Sequence, residues 1–256
     1  MTTDDLLDEC LDLAERAAEM ARGYFRGDLG VSFKSDDSPV TQADRAIERL
    51  VRDRIAQKFP DHGIVGEEHG ADAAGRKRVW VIDPIDGTRS FITGFPLFGF
   101  LLAHLVEGRP EIGIISMPML GEVYTGAAGR GAALNGTPIR ASTTTRMDAA
   151  TLYINEGEKI HAARPEILSR LLAAGQTRRF CHDCYPYALL AAGHVDVVVD
   201  YDLQPYDFMA LRPVVTEAGG ILTDWSGRVP QLDYSGPIVA AATPELHAAA
   251  LALLRD

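Results

Sequence analysis

The segment Val79-Trp80-Val81-Ile82-Asp83-Pro84-Ile85-Asp86-Gly87-Thr88 constrains this chain more than any other. Its apolar start reads as a buried strand. Its end places two carboxylates three positions apart, stiffened by a proline and followed at once by Gly87 and Thr88. Hard anions on a stiffened turn suit Mg²⁺, which prefers oxygen ligands in near-octahedral geometry. A Gly-Thr step can aim backbone N–H groups at a phosphate. The bland alternative is a surface turn that happens to carry two Asp.

Three other acidic segments bear on that choice. Ile64-Val65-Gly66 reads as a strand leading into Glu67-Glu68, directly before the strand that ends at Asp83. Neighbouring strand ends would bring Glu67 beside Asp83 and Asp86; otherwise Glu67 lies in a solvated acidic loop. Asp207 follows Pro205-Tyr206 in the first turn of an expected helix. It either complements the helix dipole or supplies a further carboxylate from the second half of the chain. Thr41 and Asp44 stand at capping-box spacing, with Asp in place of the usual Glu. Asp44 is thus a cap or an acid that orients Thr88.

The 256 residues include 46% hydrophobics, enough for a sizeable core. No apolar run approaches the ~20 residues of a membrane helix, and the acidic N-terminus lacks a basic leader. A net charge of -11 argues against a nucleic-acid backbone as partner. Phosphate binding remains compatible with it if bound cations reverse the sign locally. Cys10, Cys181 and Cys184 are an odd, low count that fits a reducing cytoplasm. Cys181-His182-Asp183-Cys184 is a single C-x-x-C with no second pair to close a zinc site, so ordinary thiols are preferred over zinc or redox roles.

Helical spacing covers residues 3–26 and 41–59, the second stopped by Pro60. Residues 97–126 read as an antiparallel meander with turns at 107–110 and 120–122. The polar stretch 141–148 is the expected boundary between an N-terminal α+β half (1–142) and a C-terminal α/β half (143–256). In the second half, strands are expected at 151–154, 195–200, 221–223 and 238–242. Helices are expected at 165–174, 183–192 and 205–218, with a last one opening at Thr243-Pro244. Layers of helices and sheets follow from this alternation.

Taken together, Gly66-Glu67-Glu68, then Trp80 to Thr88, then Tyr206-Asp207 with Ala218-Gly219-Gly220 downstream, resemble the inositol monophosphatase family over nearly the whole chain. The resemblance implies a five-layered αβαβα sandwich and a lithium-sensitive, Mg²⁺-dependent phosphomonoesterase with two or three metals, commonly homodimeric. It assigns Glu67, Asp83 and the Ile85 carbonyl to one metal, and Asp83, Asp86 and Asp207 to another. Glu67 and Thr88, backed by Asp44, would position the water; Gly87 and Thr88 would offer N–H groups to the phosphate. Lys34 matches a loop lysine of the family.

The second half must choose the ester. Asp183-Cys184-Tyr185, the stretch 203–208 and the stretch 91–99 look like the histidinol-phosphate phosphatase type, which acts in histidine synthesis. A carboxylate at Asp183 would favour a cationic amine over a neutral polyol; the alternative for it is helix capping. Asp200 falls where the family sets an acidic residue, usually Glu, against the substrate, and Gln204 stands where Lys is expected. Glu156 and Glu158 are further substrate contacts or a solvated loop. The expected substrate is therefore L-histidinol phosphate, with inositol monophosphate, or a non-catalytic metal- or partner-binding homologue, as alternatives. No Ser triad or H-E-x-x-H pattern competes.

Overall fold

The computed structural model describes residues 2–33 and 39–255. Lys34 lies outside the described residues. In the first half, helix α1 (Thr3–Tyr24) precedes a short ribbon of β1 (Ser32–Phe33) and β2 (Pro39–Val40), then α2 (Gln42–Lys58). Strands β3 (Gly63–Gly66), β4 (Gly70–Asp72) and β5 (Arg78–Asp86) follow, then α3 (Thr88–Ile92). The meander is β6 (Gly99–Val106), β7 (Arg109–Met117) and β8 (Glu122–Ala127), extended by β9 (Gly131–Leu134) and β10 (Thr137–Ile139). The second half runs β11 (Thr151–Asn155), α4 (Gly157–Ala163), α5 (Pro165–Ala173), β12 (Thr177–Cys181) and α6 (Tyr185–Ala191). It continues with β13 (Val197–Leu203), α7 (Pro205–Phe208), α8 (Leu211–Glu217), β14 (Ile221–Asp224), β15 (Gly236–Ala241) and α9 (Pro244–Leu254).

These elements form five layers. An eight-stranded sheet of order β10-β9-β8-β7-β6-β5-β3-β4 and a five-stranded sheet of order β12-β11-β13-β15-β14 carry the fold. The period-2 alternation of β5 divides its side chains between two cores. Trp80 and Ile82 face α1 and α2, whereas Val79 and Val81 face the middle layer of α6 and α8. Across that layer, Val198 of β13 packs inward while Val197 and Val199 face α4, α5 and α9 on the far side. The apolar stripe read in α1 is the buried one, from Leu6 through Cys10, Leu13, Ala14, Ala17 and Ala21. Among the described residues, no helix is long and apolar enough to cross a membrane.

Several sequence expectations shift, each for a physical reason. The expected helix over 205–218 is broken into α7 and α8. Pro213 has no N–H and would collide with the carbonyl four residues earlier, so a new helix starts at Leu211 and places Pro213 in its first turn. The helix expected from residue 183 opens at Tyr185, because Asp183 takes a left-handed backbone, φ +61°. Short elements with little periodic signal, β4, β9, β10, β12, α3 and α4, were not expected.

The middle layer depends on two glycines. A Cβ on Gly113 would lie 2.1 Å from the Ala210 carbonyl oxygen, and one on Gly126 2.4 Å from the Pro213 backbone. Their absence lets α8 sit directly on β7 and β8, which in turn seats α7. Gly126→Ala is expected to lower stability by about 2–3 kcal/mol, read as a fall in the denaturant midpoint. An unchanged midpoint would show that the layer has room to spare.

Candidate active site

The site starts from the parallel pairing of β3 with β5, which sets Gly66 opposite Ile82. Glu67 therefore emerges next to Asp83, and its N–H donates to the Ile82 carbonyl at 3.3 Å. The strand does not stop before Asp83 as the sequence suggested; it runs to Asp86 with an irregularity. Asp83 pairs with Leu101 and Asp86 with Gly99, so β5 holds one extra residue in that interval. Pro84 cannot donate to the ladder, and the Ile85 N–H turns back to Asp83 Oδ1 at 3.0 Å. In a regular strand, residues three apart point to opposite faces. The bulge removes that opposition and lets both carboxylates serve one site.

Asp207 arrives from the other sheet. It sits in the first turn of α7, where its Oδ2 accepts from the Gln204 N–H at 2.7 Å. Carboxylate oxygens of Asp83, Asp86 and Asp207 lie within 4.8 Å of one another. Burial, and then the charges of Glu67, Asp86 and Asp207, push Asp83 well above the usual carboxylate range. Asp86 is raised in the same way, by burial and by Asp183 and Asp207. Asp207 is pushed up to about 8, chiefly by burial, with Glu67 and Asp200 adding to it. Clustered hard oxygen donors, one buried and two half-buried, that resist ionisation together fit a divalent cation, which would remove their repulsion.

Gly87, with φ +91°, opens α3. A Cβ there would stand 2.5 Å from Asp183 Oδ2, so only glycine fits. The Thr88 hydroxyl lies 3.2 Å from Asp44 Oδ1 and 3.2 Å from the Ile85 carbonyl oxygen. Asp44 Oδ2 meanwhile accepts from the Thr41 N–H at 2.8 Å and the Thr41 hydroxyl at 2.5 Å. Asp44 thus both caps α2 and bonds Thr88. Its burial raises its own pKa.

The expected substrate residues divide. Asp183 Oδ2 accepts from the Ser90 hydroxyl at 2.7 Å, and burial raises it to about 6. It does not cap α6; the next residue, Cys184, donates its N–H to Asp86 Oδ2 at 2.5 Å. Asp183 and Glu156 line both an inner cleft of about 120 Å³, shared with Asp86, Asp200 and Asp207, and an outer cleft of about 590 Å³. Asp200 is 4% exposed. Its oxygens accept from Asn155 at 2.8 Å, Tyr187 at 3.1 Å and the Tyr201 N–H at 2.8 Å. Burial raises it to about 7. Glu158 lies in α4, not in a loop, and pairs with Arg89 at 3.7 Å on the rim of the outer cleft.

Spacing gave no signal for Ser90 or Tyr187. Asn155 had a faint one, as the polar residue that ends an apolar strand; it also donates to the Asp183 carbonyl at 3.0 Å. All three cysteines are free.

Comparison with known proteins places this geometry in a class, the phosphomonoesterases. The sequence profile of the Inositol monophosphatase family matches residues 4–256, and the chain belongs to that family. It is 42% identical over 243 residues to a histidinol-phosphatase of Chlorobaculum parvum, covering 94% of this chain and 93% of that one. It is 40% identical over 248 residues to the bifunctional phosphatase IMPL2 of Arabidopsis thaliana, covering 93% and 72%. An inositol monophosphatase structure from Zymomonas mobilis superposes with a TM-score of 0.89 at 35% identity, covering 99% of both chains.

The raised Asp207 has a pH signature. The native state binds its proton more readily than the unfolded chain, whose Asp titrates near 3.8. Its contribution to stability is therefore lost as pH rises from about 4 to about 8. In chelator, the stability of Asp207→Asn relative to the parent should grow across that interval, measured by denaturant unfolding. A pH-independent difference would contradict the repulsion inferred here.

Proposed function

We propose that this phosphomonoesterase hydrolyses the phosphate ester of an amino alcohol, with L-histidinol phosphate as its substrate and Mg²⁺ as its cofactor. The observation that carries the reading is Asp183, a half-buried carboxylate bordering both the carboxylate cluster and the larger outer cleft. An ester with phosphate at the cluster would extend its organic part past Asp183 into the outer cleft. Glu156, Glu158 and Asp183 line that space with Phe95, His182, Thr93 and Arg89, the last paired with Glu158, so that acids outnumber the one arginine. Such a wall favours an ammonium, and Phe95 offers a ring face to a planar heterocycle. The similarity to the Chlorobaculum parvum enzyme supports the same choice.

Asp83, Asp86, Asp207, Glu67 and the Ile85 carbonyl are the residues that would hold the metal ions. Bound there, Mg²⁺ neutralises the phosphate dianion and lowers the pKa of an attacking water. The protein's own part is positioning. The Thr88 hydroxyl, donating to Asp44 or to the Ile85 carbonyl, keeps its lone pairs to receive a hydrogen bond from water. Glu67, beside Asp83, would orient that water together with Thr88. The N–H groups of Gly87 and Thr88 at the start of α3 lack intrahelical partners and suit phosphate oxygens. Asp200, satisfied by Asn155, Tyr187 and Tyr201, shapes the floor between the cluster and the cleft.

Inositol 1-phosphate is the second reading, supported by the likeness to the Zymomonas mobilis inositol monophosphatase. Initial rates with Mg²⁺ separate the two: kcat/KM for L-histidinol phosphate should exceed that for inositol 1-phosphate at least ~10-fold, about 1.4 kcal/mol. Asp183→Asn should raise KM for the amine ester by about 10-fold and change turnover of inositol phosphate little. A parent enzyme that prefers inositol phosphate would overturn the assignment. Asp83→Asn should cost orders of magnitude on either ester.

A further inference from the structure

Helix α2 carries two fully buried carboxylates one turn apart, Asp44 and Glu48. At i and i+4 they share a face of the helix. Asp44 bonds Thr88, as described. Glu48 has no part in the reading above, yet its surroundings are as specific. Its Oε2 accepts from the Glu68 N–H at 2.7 Å. Its Oε1 accepts from the His69 N–H at 3.1 Å and from Arg52 Nε at 2.6 Å, with His69 Nδ1 at 3.4 Å. Arg52 in turn donates to the Gly70 carbonyl. The chain leaving β3 is thus fastened to α2 at three successive residues, 68, 69 and 70.

Gly66 completes the arrangement. A Cβ there would lie 2.1 Å from Glu48 Oε1, so the carboxylate fills the space above the last residue of β3. Glu67 stands between two fixed points. On one side its N–H is tied to Ile82 of β5; on the other, the Glu68 N–H is tied to Glu48. A buried carboxylate is costly unless its hydrogen bonds are met, and here they are met by the N–H groups of Glu68 and His69 and by Arg52 Nε.

We propose that Glu48 is a positioning residue: it fixes the backbone after β3 so that the Glu67 carboxylate is aimed at Asp83 and Asp207. It touches no substrate and acts through Glu67. The inference rests on the reading of Glu67 as a metal ligand.

The test is binding of Mn²⁺ alone, as a paramagnetic stand-in for Mg²⁺, counted by electron paramagnetic resonance without substrate. Parent, Glu48→Gln, Glu67→Gln and the double variant are compared, with circular dichroism melts. Glu48→Gln should weaken Mn²⁺ binding about 10-fold or more with its fold retained. Added to Glu67→Gln, it should weaken binding by less than about twofold, because two residues acting through one contact are not additive. Parent-like affinity in Glu48→Gln, or its full factor on top of Glu67→Gln, would overturn the proposal. Parent-like affinity in Glu67→Gln would instead remove the ligand reading, and the proposal with it. Should Glu48→Gln fail to fold, Gly66→Ala displaces the carboxylate without deleting it; it should weaken Mn²⁺ binding likewise, and parent-like affinity there would refute the role of Glu48.

Discussion

The mutual repulsion of Asp83, Asp86 and Asp207 is the constraint around which this molecule is arranged. Three carboxylates within 4.8 Å, one buried and two half-buried, disfavour one another and disfavour the low-dielectric interior. Left to local preferences, they would separate or move toward water. They are held together because each is fixed by backbone that has other commitments. Asp83 lies within a central strand buried on both faces, just before its bulge. Asp86 follows a proline bulge and accepts the Cys184 N–H. Asp207 caps its own helix through Gln204. The repulsion is thus stored by the fold, and a bound cation would relieve it.

The supports of the cluster come from both halves of the chain. Helix α2 reaches Thr88 through Asp44 and the turn after β3 through Glu48. The middle layer brings Asp183, Cys184 and Asp207, and it sits close to the large sheet because Gly113 and Gly126 present no side chain. Asn155, bonded to both the Asp183 carbonyl and Asp200, ties the strand end of the second sheet to the turn that carries Asp183. The carboxylate cluster and the outer cleft therefore share one frame, with Asp183 at their border.

Much of this frame was legible beforehand. The 3.6-residue spacing of Leu6, Cys10, Leu13, Ala14 and Ala17 gave α1, and Thr41 with Asp44 gave the start of α2. Strand order along the chain was enough to set Glu67 beside Asp83. What escaped were features without a period. A bulge is one extra residue, invisible in an apolar run. The left-handed backbone at Asp183 moved the start of α6 and removed a capping role that composition favours. Pro213 did carry the signal for the break between α7 and α8, but apolar periodicity across 205–218 masked it.

The sequence by itself determined the layered class of the fold, the identity of the clustered acids and the Gly-Thr step that follows them, since these depend on local spacing and on residue chemistry. Only the tertiary structure decided which acids share a cavity and which serve as supports. Asp200 and Asp183 look alike as strand-end and turn carboxylates; one is enclosed by Asn155, Tyr187 and Tyr201, while the other faces two clefts. Glu48 looked like any helical Glu until the turn after β3 closed over it. Burial and hydrogen-bond partners arise from residues far apart in the chain, so no window of sequence contains them.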